Sequence, residues 1–254
     1  MLVDGQVNIT ETGKWGNTSF NSSVDEALRQ MDEAEITKGV LLPLNGFATN
    51  KYIASEVKNH QDRFIGFGNV GKNNWKDGVN EVLDLGLEGI KFHPRIEGQT
   101  PKEWLDKGIF ESLEKNKLPV KICGWLQSSS VPIEELTPLK IDVIAKAHPQ
   151  LKIILSHLGG HYYWDAFFVA RSNKNVFLDC SYFLKVFEGT SLENDFFTSM
   201  HLIDQKVIFG SDFPEVNIND YKLKVLRGLS LNRKTDGKNI FSNNFIQILN
   251  EAKG

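Results

Sequence analysis

Val207-Ile-Phe-Gly-Ser-Asp212-Phe-Pro214 is a short apolar run that stops at a Ser-Asp pair and is cut by proline. Val207, Ile208 and Phe209 read as a strand buried on both faces, too short for a helix. Pro214 cannot continue a ladder, which predicts that the strand ends at Asp212. A carboxylate where a buried strand emerges is costly unless something pairs with it or uses it. In α/β barrels that edge carries catalytic groups. The competing reading makes Asp212 the cap of the next helix, and the stretch alone does not separate the two.

Working outward, seven similar runs precede this one, each followed by a helical pattern. Leu2–Ile9 is the first, with Asp4, Gln6 and Asn8 on one face by period-two alternation. Lys38–Pro43, Phe64–Val70, Gly89–Pro94, Leu118–Trp125, Leu151–His157 and Asn175–Ser181 follow. Between them, Ser22 or Ser23 caps a helix to about Glu35, and helices are predicted over Thr49–Asn59, Asp77–Leu85, Glu103–Asn116, Ile141–Ala147, Tyr162–Ala170 and Asp195–His201. Val79, Val82 and Leu83 are expected to face inward. Asp220–Arg227 and Phe241–Ala252 close the chain. Eight strand-helix units in 254 residues predict an α/β fold, a single (β/α)8 TIM barrel over 1–254. A doubly wound open sheet competes, but the glycine-rich phosphate turn it favours after strand one is missing.

Composition narrows the function classes. A hydrophobic content of 41% in this length supports one large core, and no proline- or glycine-rich linker divides the chain. The net charge of -3, scattered without long runs of one sign, gives no basic footprint for nucleic acid. No apolar run is long enough to cross a bilayer and no basic-then-apolar leader follows Met1, so a cytoplasmic protein without membrane association is expected. Cys123 and Cys180 fall in predicted buried strands and are expected as reduced thiols.

Several polar residues stand at inward or carboxyl-end positions. Lys91 and His93 share a face of strand four, and two polar groups fit a barrel interior better than an apolar helix layer. Lys121 shares a face with Cys123, and Asp179 with Ser181. His157 ends strand six before Gly159-Gly160, where the backbone can approach a ligand. A core histidine and a buried small thiol are the bland alternatives for His93 and Cys123. The Ser128-Ser129-Ser130 run is a candidate lid. Trp104, Trp125 and Trp164, read as exposed aromatics, are candidates to cover the barrel mouth or a subunit contact, with local packing as the equal alternative.

Asp62-Arg-Phe-Ile-Gly-Phe67, Gly89-Ile-Lys-Phe-His-Pro-Arg95, Leu118-Pro-Val120, Ile154-Leu-Ser-His-Leu-Gly-Gly160, Phe209-Gly-Ser-Asp-Phe-Pro214 and Asn239-Ile-Phe-Ser-Asn-Asn244 together span nearly the whole chain. In this order they resemble the amidohydrolase superfamily. Within it, the resemblance is to the amidohydrolase-2 group of aminocarboxymuconate semialdehyde decarboxylase and the pyrone dicarboxylate lactonases. That resemblance implies a metal site with a His-x-His pair on strand one, a histidine ending strand five and an aspartate ending strand eight. This chain has Gln6-Val-Asn8 and Cys123 in place of those histidines and keeps Asp212, while His157 matches the group's strand-six catalytic histidine. Neutral amides are poor zinc ligands, so no tightly bound cofactor is expected.

The resemblance then implies a hydrolase of small carbonyl compounds such as lactones, esters or related acids, working without metal. Asp212 would be the base, with His157 or His93 polarising the carbonyl and Lys91 or Arg95 gripping an anionic substrate. Gln6 and Asn8 would donate amide N–H groups to a substrate oxygen, and Cys123 would line the same pocket. One alternative holds zinc or another divalent cation on Asp212, Cys123 and His157 for hydrolysis or decarboxylation. Another is a silent barrel that binds a metabolite. A homodimer is the assembly the resemblance suggests.

Overall fold

Eight short strands are set by alternation and held in sequence order in a computed structural model that describes residues 1–125, 127, 130–232, 235 and 237–253. β1 (Val3–Val7), β2 (Lys38–Leu41) and β3 (Phe64–Gly66) form one parallel ladder. β4 (Ile90–Phe92), β5 (Val120–Ile122), β6 (Ile153–Leu155), β7 (Val176–Asp179) and β8 (Val207–Ile208) form a second. Two seams join the ladders. At the first, the Gly68 N–H donates to Gly89 O at 2.8 Å and the Lys91 N–H donates to Gly68 O at 2.7 Å. At the second, Gly5 N–H donates to Phe209 O (2.8 Å), Asn8 N–H to Phe213 O (2.9 Å) and Asp212 N–H to Gln6 O (3.1 Å). Gly68 is required at its seam, since a Cβ there would lie 2.3 Å from Val82 Cγ2.

The surrounding helices are α1 (Val24–Glu33), α2 (Asn50–Asn59), α3 (Trp75–Asp84), α4 (Pro94–Glu97), α5 (Pro101–Asp106) and α6 (Ile109–Lys115) in the first half. The second half adds α7 (Pro138–Ala147), α8 (Tyr163–Ser172), α9 (Phe183–Phe187), α10 (Ser191–Ser199), α11 (Ile218–Asn232) and α12 (Asn244–Lys253). Of the two candidate caps, Ser23 is the one used, its hydroxyl accepting from Glu26 N–H at 3.3 Å. No helix among the described residues is long and apolar enough to cross a membrane.

Three expectations are corrected. The helix read over 103–116 is two, because Gly108 takes a left-handed φ of 72° between α5 and α6. For Trp104 the local-packing alternative holds: it is 1% exposed and its ring centre lies 4.3 Å from that of Phe92. Trp164 does stand out, at 41% exposed. Leu83 is 40% exposed, and only Val79 and Val82 carry the buried stripe of α3. The β8 ladder stops at Ile208, earlier than Pro214 alone required, and Asp212 adopts a φ of 73°.

Two apolar clusters fill the molecule, one between strands and helices and one inside the barrel. The inner cluster takes Val40, Ile154, Phe177 and Ile208 from the strands, Phe67 from just beyond β3, and Phe245 and Ile248 from α12. Each such side chain contributes roughly 1.5–3 kcal/mol on burial. Polar residues occupy the inward positions that follow. Along β7 and just beyond, the inward series runs Phe177, Asp179, Ser181, from apolar to ionic to hydroxyl.

Candidate active site

The β8–β1 seam brings Asp212 to the two amides of the first strand. Gln6 Nε2 donates to Asp212 Oδ1 at 2.6 Å and Asn8 Nδ2 donates to the same oxygen at 2.9 Å. Asn8 Nδ2 also donates to Phe213 O at 3.0 Å, which commits both of its N–H groups. Asp212 is half-buried, and α11 begins six residues later at Ile218, so the carboxylate is not that helix's cap.

A chain of hydrogen bonds fixes the Gln6 amide from the other side. Lys91 Nζ donates to Ser156 Oγ at 3.2 Å, and Ser156 Oγ donates to Gln6 Oε1 at 3.3 Å. Gln6 therefore turns its oxygen to Ser156 and its nitrogen to Asp212. Burial pushes the Lys91 ammonium down to about 8, with Lys121 adding to the fall while Cys123, Asp179 and Asp212 oppose it.

Ser156 and His157 both reach this site because the backbone gives up strand geometry after Leu155. His157 and Leu158 take φ values of 60° and 50°, and Gly159 and Gly160 continue in the same region. Non-glycine residues there cost about 1–2 kcal/mol each. His157 Nδ1 donates to Ser181 O at 2.9 Å. Trp125 meets the His157 ring edge-on with centres 6.0 Å apart, and Tyr182 meets Trp125 at 5.2 Å.

These groups border a cavity of about 340 Å³ at the carboxyl ends of the strands, the size of a small metabolite site. Gln6, Asn8, Lys91, His93, Arg95, His157 and Asp212 all line it. Arg95 brings a buried Nε that has no hydrogen-bond partner among the described residues. Cys123, expected to line the same pocket, is 6% exposed and is not among the residues that line the cavity. Ser128 and Ser129 of the expected lid lie outside the described residues.

Sequence reasoning missed Ser156, Trp15, Tyr182 and Glu215. Alternation would put Ser156 and His157 on opposite faces, and only the left-handed turn defeats that rule. Trp15 comes from the irregular segment after β1, where no period exists to read, and its Nε1 donates to Glu215 Oε1 at 2.9 Å.

The residues do not fit a divalent cation. An amide serves a cation through its oxygen, yet Gln6 and Asn8 aim nitrogens at Asp212. Asp212, Cys123 and His157 do not converge either: among the described residues no three His, Cys, Asp or Glu side chains form a group able to hold an ion.

Solved structures share this architecture at low identity. An uncharacterised TIM-barrel protein from Bordetella bronchiseptica superposes with a TM-score of 0.83 at 17% identity, covering 100% of this chain and 99% of that one. A probable 2-pyrone-4,6-dicarboxylic acid hydrolase from Acinetobacter baumannii, with citric acid bound, gives 0.69 at 14% identity over 98% and 99% of the two chains. A dihydroorotase from Campylobacter jejuni gives 0.67 at 16% identity over 98% and 83%. No curated protein matches the sequence. The family model described as amidohydrolase matches residues 5–224, most of the barrel and every site residue named above. By that match the chain belongs to the amidohydrolase family.

Proposed function

We propose that the protein hydrolyses a small anionic carbonyl compound, a lactone, ester or related acid, without a tightly bound metal. The observation that carries this reading is the carboxylate of Asp212, fixed by two amide donors on one oxygen at the wall of a cavity lined with cationic and imidazole groups. Oδ1 is occupied, and Oδ2 takes no hydrogen bond among the described residues. Asp212 removes a proton from water through that second oxygen. Gln6 and Asn8 hold the base instead of the substrate oxygen.

Arg95 and Lys91 take the anionic end of the substrate, and His157 and His93 face its carbonyl. Desolvation inside the cavity strengthens each of these contacts. The citrate-bound Acinetobacter relative supports a carboxylate-binding site in this architecture. General-base assistance contributes roughly a hundred- to ten-thousandfold. A lactone and ester panel assayed in chelator should therefore be turned over by the parent, with Asp212→Asn slower by about a hundredfold or more. Equal rates remove Asp212 from the mechanism.

A further inference from the structure

The chain leaving β1 folds into a small hairpin at the edge of the cavity. Lys14 and Asn21 pair across it in an antiparallel bridge, and Ser22 N–H donates to Gly13 O at 2.9 Å. Its base is tied to the barrel: Thr10 N–H donates to Ser22 O at 3.0 Å, and Ser22 Oγ donates to Asn8 O at 2.7 Å. Gly13 and Gly16 take left-handed φ values of 68° and 56°, which glycine adopts freely. Residues 16–21 are all exposed. A segment with an exposed backbone and few buried contacts belongs to the low-stability end of a fold, from which moving covers are drawn.

The tip is held by side chains from the loops around it. Trp15 Nε1 donates to Glu215 Oε1 at 2.9 Å, after β8, and the Trp15 ring centre lies 5.3 Å from that of Phe47, after β2. Lys185 of α9 stands 5.4 Å from the Phe20 ring centre while its Nζ donates to Glu215 O at 2.7 Å. The hairpin thus bridges loops that follow β2, β7 and β8, and Glu215 meets both of its aromatic contacts.

Trp15, Gly16 and Thr18 line the cavity, with Leu44 and Phe47 beside them. Lys91 lies on β4 and Arg95 just past it, whereas Asp212 follows β8. In barrel order β1, β2 and β3 fill the interval between those two strands. An ester with its anionic end at Arg95 and its carbonyl at Asp212 turns its remaining bulk to the wall of Trp15, Leu44 and Phe47.

We propose that Trp15 is a specificity-determining residue: its hairpin is a cover latched to Glu215, and the closed cover admits only a short group on the far side of the ester carbonyl. The substrate class rests on the hydrolase reading above; the latch does not. Glu215 acts through Trp15 and is a positioning residue. The two side chains work through one hydrogen bond, so losing either opens the same cover.

Backbone hydrogen exchange over residues 11–22 is followed by mass spectrometry in the full-length protein. Trp15→Phe keeps a ring against Phe47 and loses the N–H, and exchange should quicken about tenfold, as it should in Glu215→Ala. The double variant should be no faster than either single one. Unchanged exchange in both single variants, or additive acceleration in the double, overturns the latch. For selection, methyl, butyl and octyl hydrogen succinates are titrated calorimetrically into Asp212→Asn and into Asp212→Asn with Trp15→Ala. The first should favour methyl over octyl by about tenfold or more, and the second should lose that preference. An equal preference in both, or none in the first, overturns Trp15 as the selector. Binding of none of the three overturns the substrate class and the selection built on it. Selective binding with no turnover of the methyl ester by the parent protein overturns the hydrolase reading and leaves Trp15 standing.

Discussion

The same strands build two charged layers, one just above the apolar plug and one at the mouth, and they behave oppositely. In the lower layer Lys121 and Asp179, both 0% exposed, form an ion pair, and Lys121 Nζ also donates to Gly5 O at 2.5 Å. The Asp179 carboxylate takes the Ser181 N–H as well. Every charge of that pair is spent on the protein. Two residues further along the same strands lie Cys123 and Ser181, and Lys91, the ladder partner of Lys121, instead lines the cavity, where it donates to Ser156, while Arg95 keeps an Nε without a partner among the described residues. Neutralisation within the layer gives rigidity; donors left over give a site. Residue type alone does not separate the two, since lysine and aspartate occur in both.

The comparison breaks first at the lower layer. Lys121→Met leaves Asp179 buried without its counter-ion and is expected to cost about 3–5 kcal/mol, measured by urea denaturation. Lys121→Met with Asp179→Leu should recover part of that loss, though Gly5 O and Ser181 N–H still lose partners. A neutral Lys121→Met would mean that the lower layer is no more committed than the mouth.

Asp4 sharpens the contrast through pH. Burial pushes its carboxyl from 3.8 up to about 7, against the opposing hydrogen bonds of Ser211 and Gln6. Its Oδ1 accepts from Gln6 N–H and Ser211 N–H, and Oδ2 has no partner among the described residues. The folded state holds this proton more tightly than the unfolded chain does. The stabilisation is therefore full below about pH 4 and is lost as pH climbs through about 7, on the order of 4 kcal/mol in all. Asp4→Asn, which keeps the Oδ1 acceptor, should flatten that part of the stability profile between about pH 4 and about pH 7.

Smaller effects are expected at the mouth. The Lys91 ammonium is present below about 8 and lost above it, so KM for an anionic substrate should rise roughly tenfold from about pH 7 to about pH 9. Lys91→Arg should abolish that limb. Ser156→Ala removes the bridge between Lys91 and Gln6 and should cost about 1 kcal/mol of stability with a several-fold fall in turnover. No change in turnover would show that Gln6 holds Asp212 without help.

The barrel was legible because two periods alternate along the chain and each polar inward pair sits on an even spacing: Gln6 with Asn8, Lys91 with His93, Lys121 with Cys123. Alternation gives the face a residue uses and is silent about whom it meets there. Gln6 and Asp212 lie 206 positions apart, and only the closing seam makes Gln6 a holder of the base and not a ligand of substrate. Ser156 was hidden for a local reason, the left-handed turn at His157, and the division of α5 from α6 because one glycine splits a helix that its neighbours would have continued.

The seam between the last strand and the first also orders events in time. Asp212 and its two amide anchors belong to the last and first strands of the barrel, so a nascent chain emerging from the ribosome holds Gln6 and Asn8 long before it holds anything for them to grip. Whatever reactivity the pocket owns is switched on only when the final ladder docks, and a single proteolytic cut that frees either terminal strand would switch it off again.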